Sequence, residues 1–179
     1  MIEVMILGFL AEGPMHGYKL RRKMSQLYGY ARTTSEGTIY PAINRLLAAG
    51  ALTQELEPGV GAASRRTLHL TLDGRARLEG LLRDADGHDI TDGGRFFIVL
   101  AFLSLLPDEA ERLAVLRRRM EFLDQPVGFF FDGDRPLRAA EIADPYRRGI
   151  LVSARATRTA ELAWLREQLG TTTDQKEWP

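Results

Sequence analysis

The 179-residue chain contains no cysteine, which excludes disulfides, thiolate metal sites and thiol nucleophiles and fits a reducing cytoplasm. It has no formal net charge, with 24 basic and 24 acidic side chains, so bulk electrostatics alone give no reason to expect a polyanionic partner. It lacks a long apolar run: the longest, Phe96 to Leu106, falls far short of the ~20 residues a membrane span requires. The opening MIEVMILGFLAEGP has neither a basic n-region nor a small-residue cleavage site and reads as a structural helix, not a signal peptide. Only three histidines occur, His16, His69 and His88, scattered without ligand spacing, so no metal is expected. The acidic stretch Asp84, Asp86, His88, Asp89 and Asp92 reads as a linker before it reads as a cation site. No Ser-His-Asp spacing and no phosphate-cradling glycine loop is present, so neither catalysis nor a cofactor is expected.

The neutral total hides an asymmetry. Residues 1–85 carry 11 basic against 8 acidic side chains, a net of +3, and residues 86–179 carry 13 against 16, a net of −3. The first half is the one suited to meet an anion. Its periodicity reads helix (2–12), helix (15–28, with Leu20, Met24 and Leu27 buried), helix (35–49), two alternating strands, then helix from Leu72. Glu12-Gly13-Pro14 stops the first helix, Gly50 closes the third as the residue after its C-cap, and Thr71 caps the fourth. The strands are ALTQELE and RRTLHL, joined by the Gly/Ala-rich turn PGVGAAS. Three helices, a hairpin and a helix make a winged helix-turn-helix, so the expected class is mainly α with a small β-hairpin.

The polar stretch 84–94 marks the expected boundary between a DNA-binding domain at 1–85 and an all-helical domain at 86–179. The second domain reads as an apolar helix over Phe96–Leu106, a helix opened by Pro107-Asp108, a loop bearing Phe129, Phe130 and Phe131, and a helix of about 25 residues opened by Asp144-Pro145. That last helix carries Leu151, Ala154, Leu162, Leu165 and Leu169 on one stripe. A helix so long is better explained by a partner helix than by burial in a small domain, so this stripe, with Phe96 and Leu100, is the expected interface with that partner. Phe96, Phe97, Tyr146 and Trp164 are also candidates for a pocket taking a small aromatic or hydrophobic effector, against the alternative that they are core and dimer packing.

The third helix is unusual. Ile39, Ile43, Leu46 and Leu47 form its apolar stripe, yet the opposite face carries Gly37, Thr38, Pro41, Asn44, Arg45 and Ala48 in place of the Glu and Lys of a solvated face. Pro41 interrupts a helical pattern, where it removes a backbone donor, which predicts a local kink or a start later than Ser35. LGFLAEGPMHGYKL, SEGTIYPAINRLLAAGAL and RRTLHLTLDGRARL together resemble the PadR family of bacterial transcriptional regulators over residues 1 to about 85. The rest resembles the helical C-terminal domain of the longer members in length and helix order only. The resemblance implies a homodimeric repressor on a palindromic double-stranded operator, often responsive to a small molecule.

A recognition helix lies in the major groove with its N-terminal residues at the base edges, and a low, uncharged face allows that approach. Ser35 caps this helix. Thr38 can bond a base or phosphate, Asn44 can pair with adenine, and Arg45 can reach guanine or phosphate. Tyr40 sits at the rim with its hydroxyl assigned to phosphate, and Pro41 offers a flat contact. Arg65 and Arg66 flank the wing, and Lys19 and Arg22 are phosphate clamps supplying affinity without sequence choice. Tyr18 fits a phosphate contact and core packing equally, and the two wing arginines taken alone also fit a solvated strand edge. The alternative function is a winged-helix module that binds another protein, which would want an apolar outward face on the third helix. No membrane partner is expected.

Overall fold

The computed structural model describes residues 1–28, 36–57, 65–125 and 130–170. Ser35, the connection before it, the wing turn, Phe129 and the tail TTTDQKEWP lie outside the described residues. The chain divides into two compact units, Met1–Val115 and Leu116–Pro179.

The first unit is built on α1 (Ile2–Ala11), whose residues from Val4 to Leu10 are all buried. A helix apolar all round must be enclosed on all sides. It is met by α2 (Gly17–Tyr28), α3 (Glu36–Ala48), α4 (Leu72–Arg83), α6 (Gly93–Phe102) and β3 (Arg65–Leu70). Leu20 and Met24 of α2, Ile39, Ile43 and Leu46 of α3, and Leu78 and Leu82 of α4 are buried, as the periodicity requires. Leu72 and Ala76 of α4 are exposed; Leu72 stands in the first turn, where the helix has not yet reached the core.

The expected hairpin pairs β2 (Leu52–Glu57) with β3 in antiparallel register, Leu52 opposite Leu70 and Leu56 opposite Arg66. It is extended by a strand the periodicity did not reveal. Met15–His16, read as the start of a helix, is β1 and pairs with β3, giving the order β1-β3-β2. The helix therefore begins at Gly17. Leu56, expected to be half-buried, is exposed, because β2 leaves the core after Leu52 and runs out as the wing.

Two glycines fix how α3 and α4 join the sheet. Gly50 adopts φ +71° after α3, and the amides of Gly50 and Ala51 return to the carbonyls of Leu47 and Leu46 at 3.1 and 3.0 Å, closing the helix as its position predicts. Thr71 caps α4, its hydroxyl accepting from the Gly74 amide at 3.0 Å and donating to the Gly50 carbonyl at 2.8 Å. At Gly74 a Cβ would lie 2.1 Å from the Ala51 carbonyl oxygen, so α4 passes the start of β2 with no room for a methyl. Gly74→Ala is expected to lower unfolding stability by about 1–3 kcal/mol, measured by urea titration. An unchanged midpoint would mean that the backbone here yields.

The Asp/Gly stretch at 84–94 is ordered and lies within the first unit. It holds α5 (His88–Thr91), buried through Ile90, and its acids have partners: Asp92 caps α6 by accepting from the Arg95 amide, and Asp89 accepts from the Arg95 guanidinium at 2.8 Å. α6 then packs on α1, the Phe102 ring meeting Phe9 edge-on at 5.0 Å. A Cβ on Gly8 would stand 2.5 Å from that ring. The Phe96–Leu106 segment is not one uniformly buried helix: α6 ends at Phe102, a 3₁₀ turn covers Leu103–Leu105, and Phe97 is 55% exposed.

α7 (Glu109–Asp124) is opened by Asp108, which accepts from the Ala110 amide at 2.8 Å, and the division between the units falls inside it. In the second unit the loop expected after α7 contains a small hairpin, β4 (Phe131–Asp132) against β5 (Arg135–Pro136). α8 (Pro145–Gln168) is a helix of 24 residues, capped by Asp144, which accepts from the Tyr146 amide at 2.8 Å. Arg119 of α7 is 4% exposed and donates through Nε and Nη2 to the two carboxylate oxygens of Glu161 on α8, at 2.7 and 3.0 Å. Among the described residues no helix is long and apolar enough to cross a membrane.

Candidate nucleic-acid interface

α3 separates its two faces cleanly. Ile39, Ala42, Ile43 and Leu46 are buried, whereas Gly37, Thr38, Pro41, Asn44, Arg45 and Ala48 are exposed. Gly37, Pro41, Asn44 and Ala48 follow at spacings of four, three and four, so they form one ridge along the helix. Pro41 lies inside the helix, one turn past Gly37, whose carbonyl it leaves without the usual amide partner. A helix that gives up that bond on its outward face keeps a carbonyl open to water or to a ligand. The ridge carries no formal charge and no side chain larger than asparagine or proline, a shape suited to close approach between two walls.

The surroundings of the ridge come from the His16-Gly17-Tyr18 segment. Pairing with β3 fixes His16 opposite Thr67. The His16 Nδ1 lies 3.3 Å from the Arg66 carbonyl oxygen, to which it donates as the N–H tautomer, and 3.1 Å from the Thr67 hydroxyl. Tyr18 stacks on the His16 ring, centroids 5.8 Å apart, and is 61% exposed, so core packing is excluded for it. A Cβ at Gly17 would sit 3.5 Å from the Tyr40 ring. Tyr40 therefore lies across the head of α2, at the rim of the α3 ridge, and is 44% exposed. One short segment thus ties the wing strand, the head of α2 and the head of α3 together. Sequence reading leaves His16 among scattered histidines; its signal is its place directly before Gly17-Tyr18.

Lys19 and Arg22 follow Tyr18 on α2 and are exposed. Lys23, in contrast, is committed to Glu12 by an ion pair and stands over the Phe9 ring at 5.3 Å. Arg66 is exposed beside Leu56 on the wing; of Arg65 only the backbone is described. Arg45 occupies the other flank of α3, lining a shallow depression with Glu3, Ala49 and Arg77, where Arg77 is ion-paired to Glu3. The His16-Gly17 segment brings Tyr18 and Tyr40 to one rim of the ridge, Lys19, Arg22 and Arg66 are exposed on α2 and β3, and Arg45 lies on the other flank of α3.

His16→Ala removes both the Nδ1 bonds and the ring under Tyr18. It is expected to cost about 1 kcal/mol, a fall of roughly 2–4 °C in Tm. His16→Asn, which can keep a donor near the Nδ1 position, is expected to recover most of it. Equal losses in the two variants would make the stacking, not the hydrogen bond, the latch.

The candidates on the later helices are distributed differently. Phe96 is fully buried in the core of the first unit, and Leu162 and Leu165 are buried within the chain itself. None of these three is available to a partner or a pocket. Leu100, Leu151, Ala154 and Leu169 are half-buried. Phe97 on α6 and Tyr146 and Trp164 on α8 keep exposed rings. Helical periodicity finds a face that needs covering but does not say whether the chain covers it itself.

A three-helix unit with a winged sheet and an uncharged, outward-facing third helix defines a winged helix-turn-helix protein. Residues 6–80 match the family "Transcriptional regulator PadR-like family". Residues 6–80, the winged-helix part of the chain, are thus similar to a PadR-like transcriptional regulator domain. Among solved structures the chain is similar to Bacillus subtilis PadR in complex with operator DNA, at 18% identity over 96% of this chain and 97% of that one, with a TM-score of 0.46. It is also similar to smu.1704 from Streptococcus mutans UA159, at 26% identity over 52% and 83% of the two chains and a TM-score of 0.43. A further likeness is to the PadR-like transcriptional regulator BC1756 from Bacillus cereus, at 16% identity over 94% and 93%, with a TM-score of 0.40. No curated protein matches the chain.

Proposed function

We propose that the protein is a cytoplasmic, homodimeric repressor that occupies a palindromic operator, with residues 1–85 holding DNA and residues 86–179 joining two copies. The observation that carries the reading is the exposed, uncharged ridge Gly37-Pro41-Asn44-Ala48 with Tyr40 at its rim, on a unit whose α2 and wing strand expose Tyr18, Lys19, Arg22 and Arg66. The ridge enters the major groove, Thr38 and Asn44 meet base edges, and Arg45 reaches a base or phosphate from the far flank. Tyr18, Lys19, Arg22 and Tyr40 hold one phosphate wall, and Arg65 and Arg66 carry the wing along the backbone. In a two-fold dimer the two ridges stand one DNA turn apart, ~34–36 Å. A small aromatic or hydrophobic effector releases the operator.

Mobility-shift titration tests this, using the upstream region of the protein's own operon against a scrambled duplex at two salt concentrations. The operator region is expected to bind more tightly at both, with affinity falling steeply as salt rises. Equal affinity for the two duplexes would overturn sequence-specific regulation.

A further inference from the structure

α8 has a second apolar face that its own chain leaves open. Tyr146, Ile150, Ser153, Thr157, Ala160 and Trp164 are all exposed. They recur at spacings of four, three, four, three and four, the repeat of a helix seam. Tyr146 is 87% exposed and Trp164 36%. The face lies about 120° around the helix from Leu162 and Leu165, which the chain buries itself. The arginines of this half-helix, Arg147, Arg148, Arg155 and Arg158, stand off the seam, which keeps no charge from Tyr146 to Trp164.

We propose that this seam packs antiparallel on the same seam of a second copy, centred on position 155. The proposal rests on the homodimer reading above and names the face, direction and register of the contact. The seam is complementary to itself when reversed. About position 155, Tyr146 falls opposite the partner copy's Trp164, Ile150 opposite its Ala160, and Ser153 opposite its Thr157. Each bulky side chain meets a different one, and the small residues lie at the crossing, where two helices come closest. A parallel pairing sets isoleucine on isoleucine and alanine on alanine, a clash beside a gap. Charge selects the same direction. α8 carries no carboxylate from Pro145 to Ala160 but has Glu161 and Glu167 beyond. Glu161 is held by Arg119 of its own chain, so reversal lays the arginine-bearing half of each helix along the half carrying Glu167 and opposes the two helix dipoles, whereas parallel packing stacks arginines on arginines.

The cysteine-free chain allows a direct test with the full-length double variant Ile150→Cys/Ala160→Cys. Within one helix these positions stand ~15 Å apart, beyond disulfide reach, so only a second copy can close a bond. The reduced protein is first weighed by sedimentation, then oxidised, and digested with trypsin. A dimer whose link joins the peptide 149–155 to the peptide 159–166 is the expected result. A second pair of variants, Ser153→Cys mixed with Thr157→Cys so that no chain carries both cysteines, is expected to link 149–155 of one copy to 156–158 of the other. Dimers that stay unlinked in both experiments, or that link each peptide to itself, overturn the face and register while leaving the homodimer standing. A monomer in the reduced wild-type chain overturns both.

Discussion

Alanine in place of Asn44 is expected to weaken binding to the operator by roughly 5- to 150-fold, the ~1–3 kcal/mol of one bidentate base contact, while leaving affinity for unrelated duplex almost unchanged. Asn44 lies on the ridge, exposed and flanked by Pro41 and Ala48, so its amide is the most reaching polar group there. Lys19→Ala is expected to do the reverse. It lowers affinity for every sequence alike and reduces the slope of log affinity against log salt by about 0.9, the counterion release of one phosphate contact. The two variants together separate reading from holding. Parallel loss on operator and random DNA by both would mean that the ridge only holds the backbone. If neither changes binding, α3 is not the inserted element. Arg45, set apart with Glu3 and Arg77 around it, is expected to fall between them, costing affinity at all sequences and some base preference.

What made this surface legible before any coordinates was a contrast within one helix. Ile39, Ile43 and Leu46 announce burial by spacing, and the opposite face is conspicuous for lacking the lysines and glutamates of a solvated flank. The caps are equally local: Gly50, Thr71 and Asp144 act on backbone groups two or three residues away, so their chemistry shows in a short window. What could not be read is long-range. β1 is two residues long, too short for alternation to register, and exists because β3 offers it an edge fifty positions later. Leu56 obeys the strand period but lies beyond the part of the sheet that the helices cover. The stretch at 84–94 has linker composition, yet Ile90 is buried and Arg95 draws Asp89 inward. On α8 the Leu151-Leu162-Leu165 stripe was correctly seen as apolar, but periodicity is silent on the identity of the covering surface. The chain itself buries Leu162 and Leu165 of that stripe and half-buries Leu151, and the exposed seam lies about 120° further round the helix.

Glu161→Ala is expected to be the most destabilising single change in the second unit, costing about 3–5 kcal/mol. The reason is what it leaves behind. Arg119 is almost entirely enclosed, and its guanidinium donates to both oxygens of Glu161; the ring of Phe122 stands beside it at 5.5 Å. Removing the carboxylate takes two charged acceptors from a cation where water scarcely reaches. The pair itself need not be stabilising, since its attraction must offset the dehydration of two ions. Replacing both at once, Arg119→Met with Glu161→Leu, is therefore expected to return stability to within about 1 kcal/mol of the parent. Thermal unfolding of the two single variants and the double variant measures the difference. A mild loss in Glu161→Ala would show that Arg119 finds water or another acceptor. Two further ties to α8, from Arg166 to Asp124 at 3.2 Å and from Arg158 to the carbonyl of Gln125 just past α7 at 2.6 Å, are more exposed and contribute less. Glu161 is thus the group that fixes α8 against its own chain, and a helix that is not fixed cannot present a seam in register. Glu161→Ala should accordingly lose dimers at concentrations where the double variant keeps them, and weaken operator binding without touching a residue of the α3 ridge.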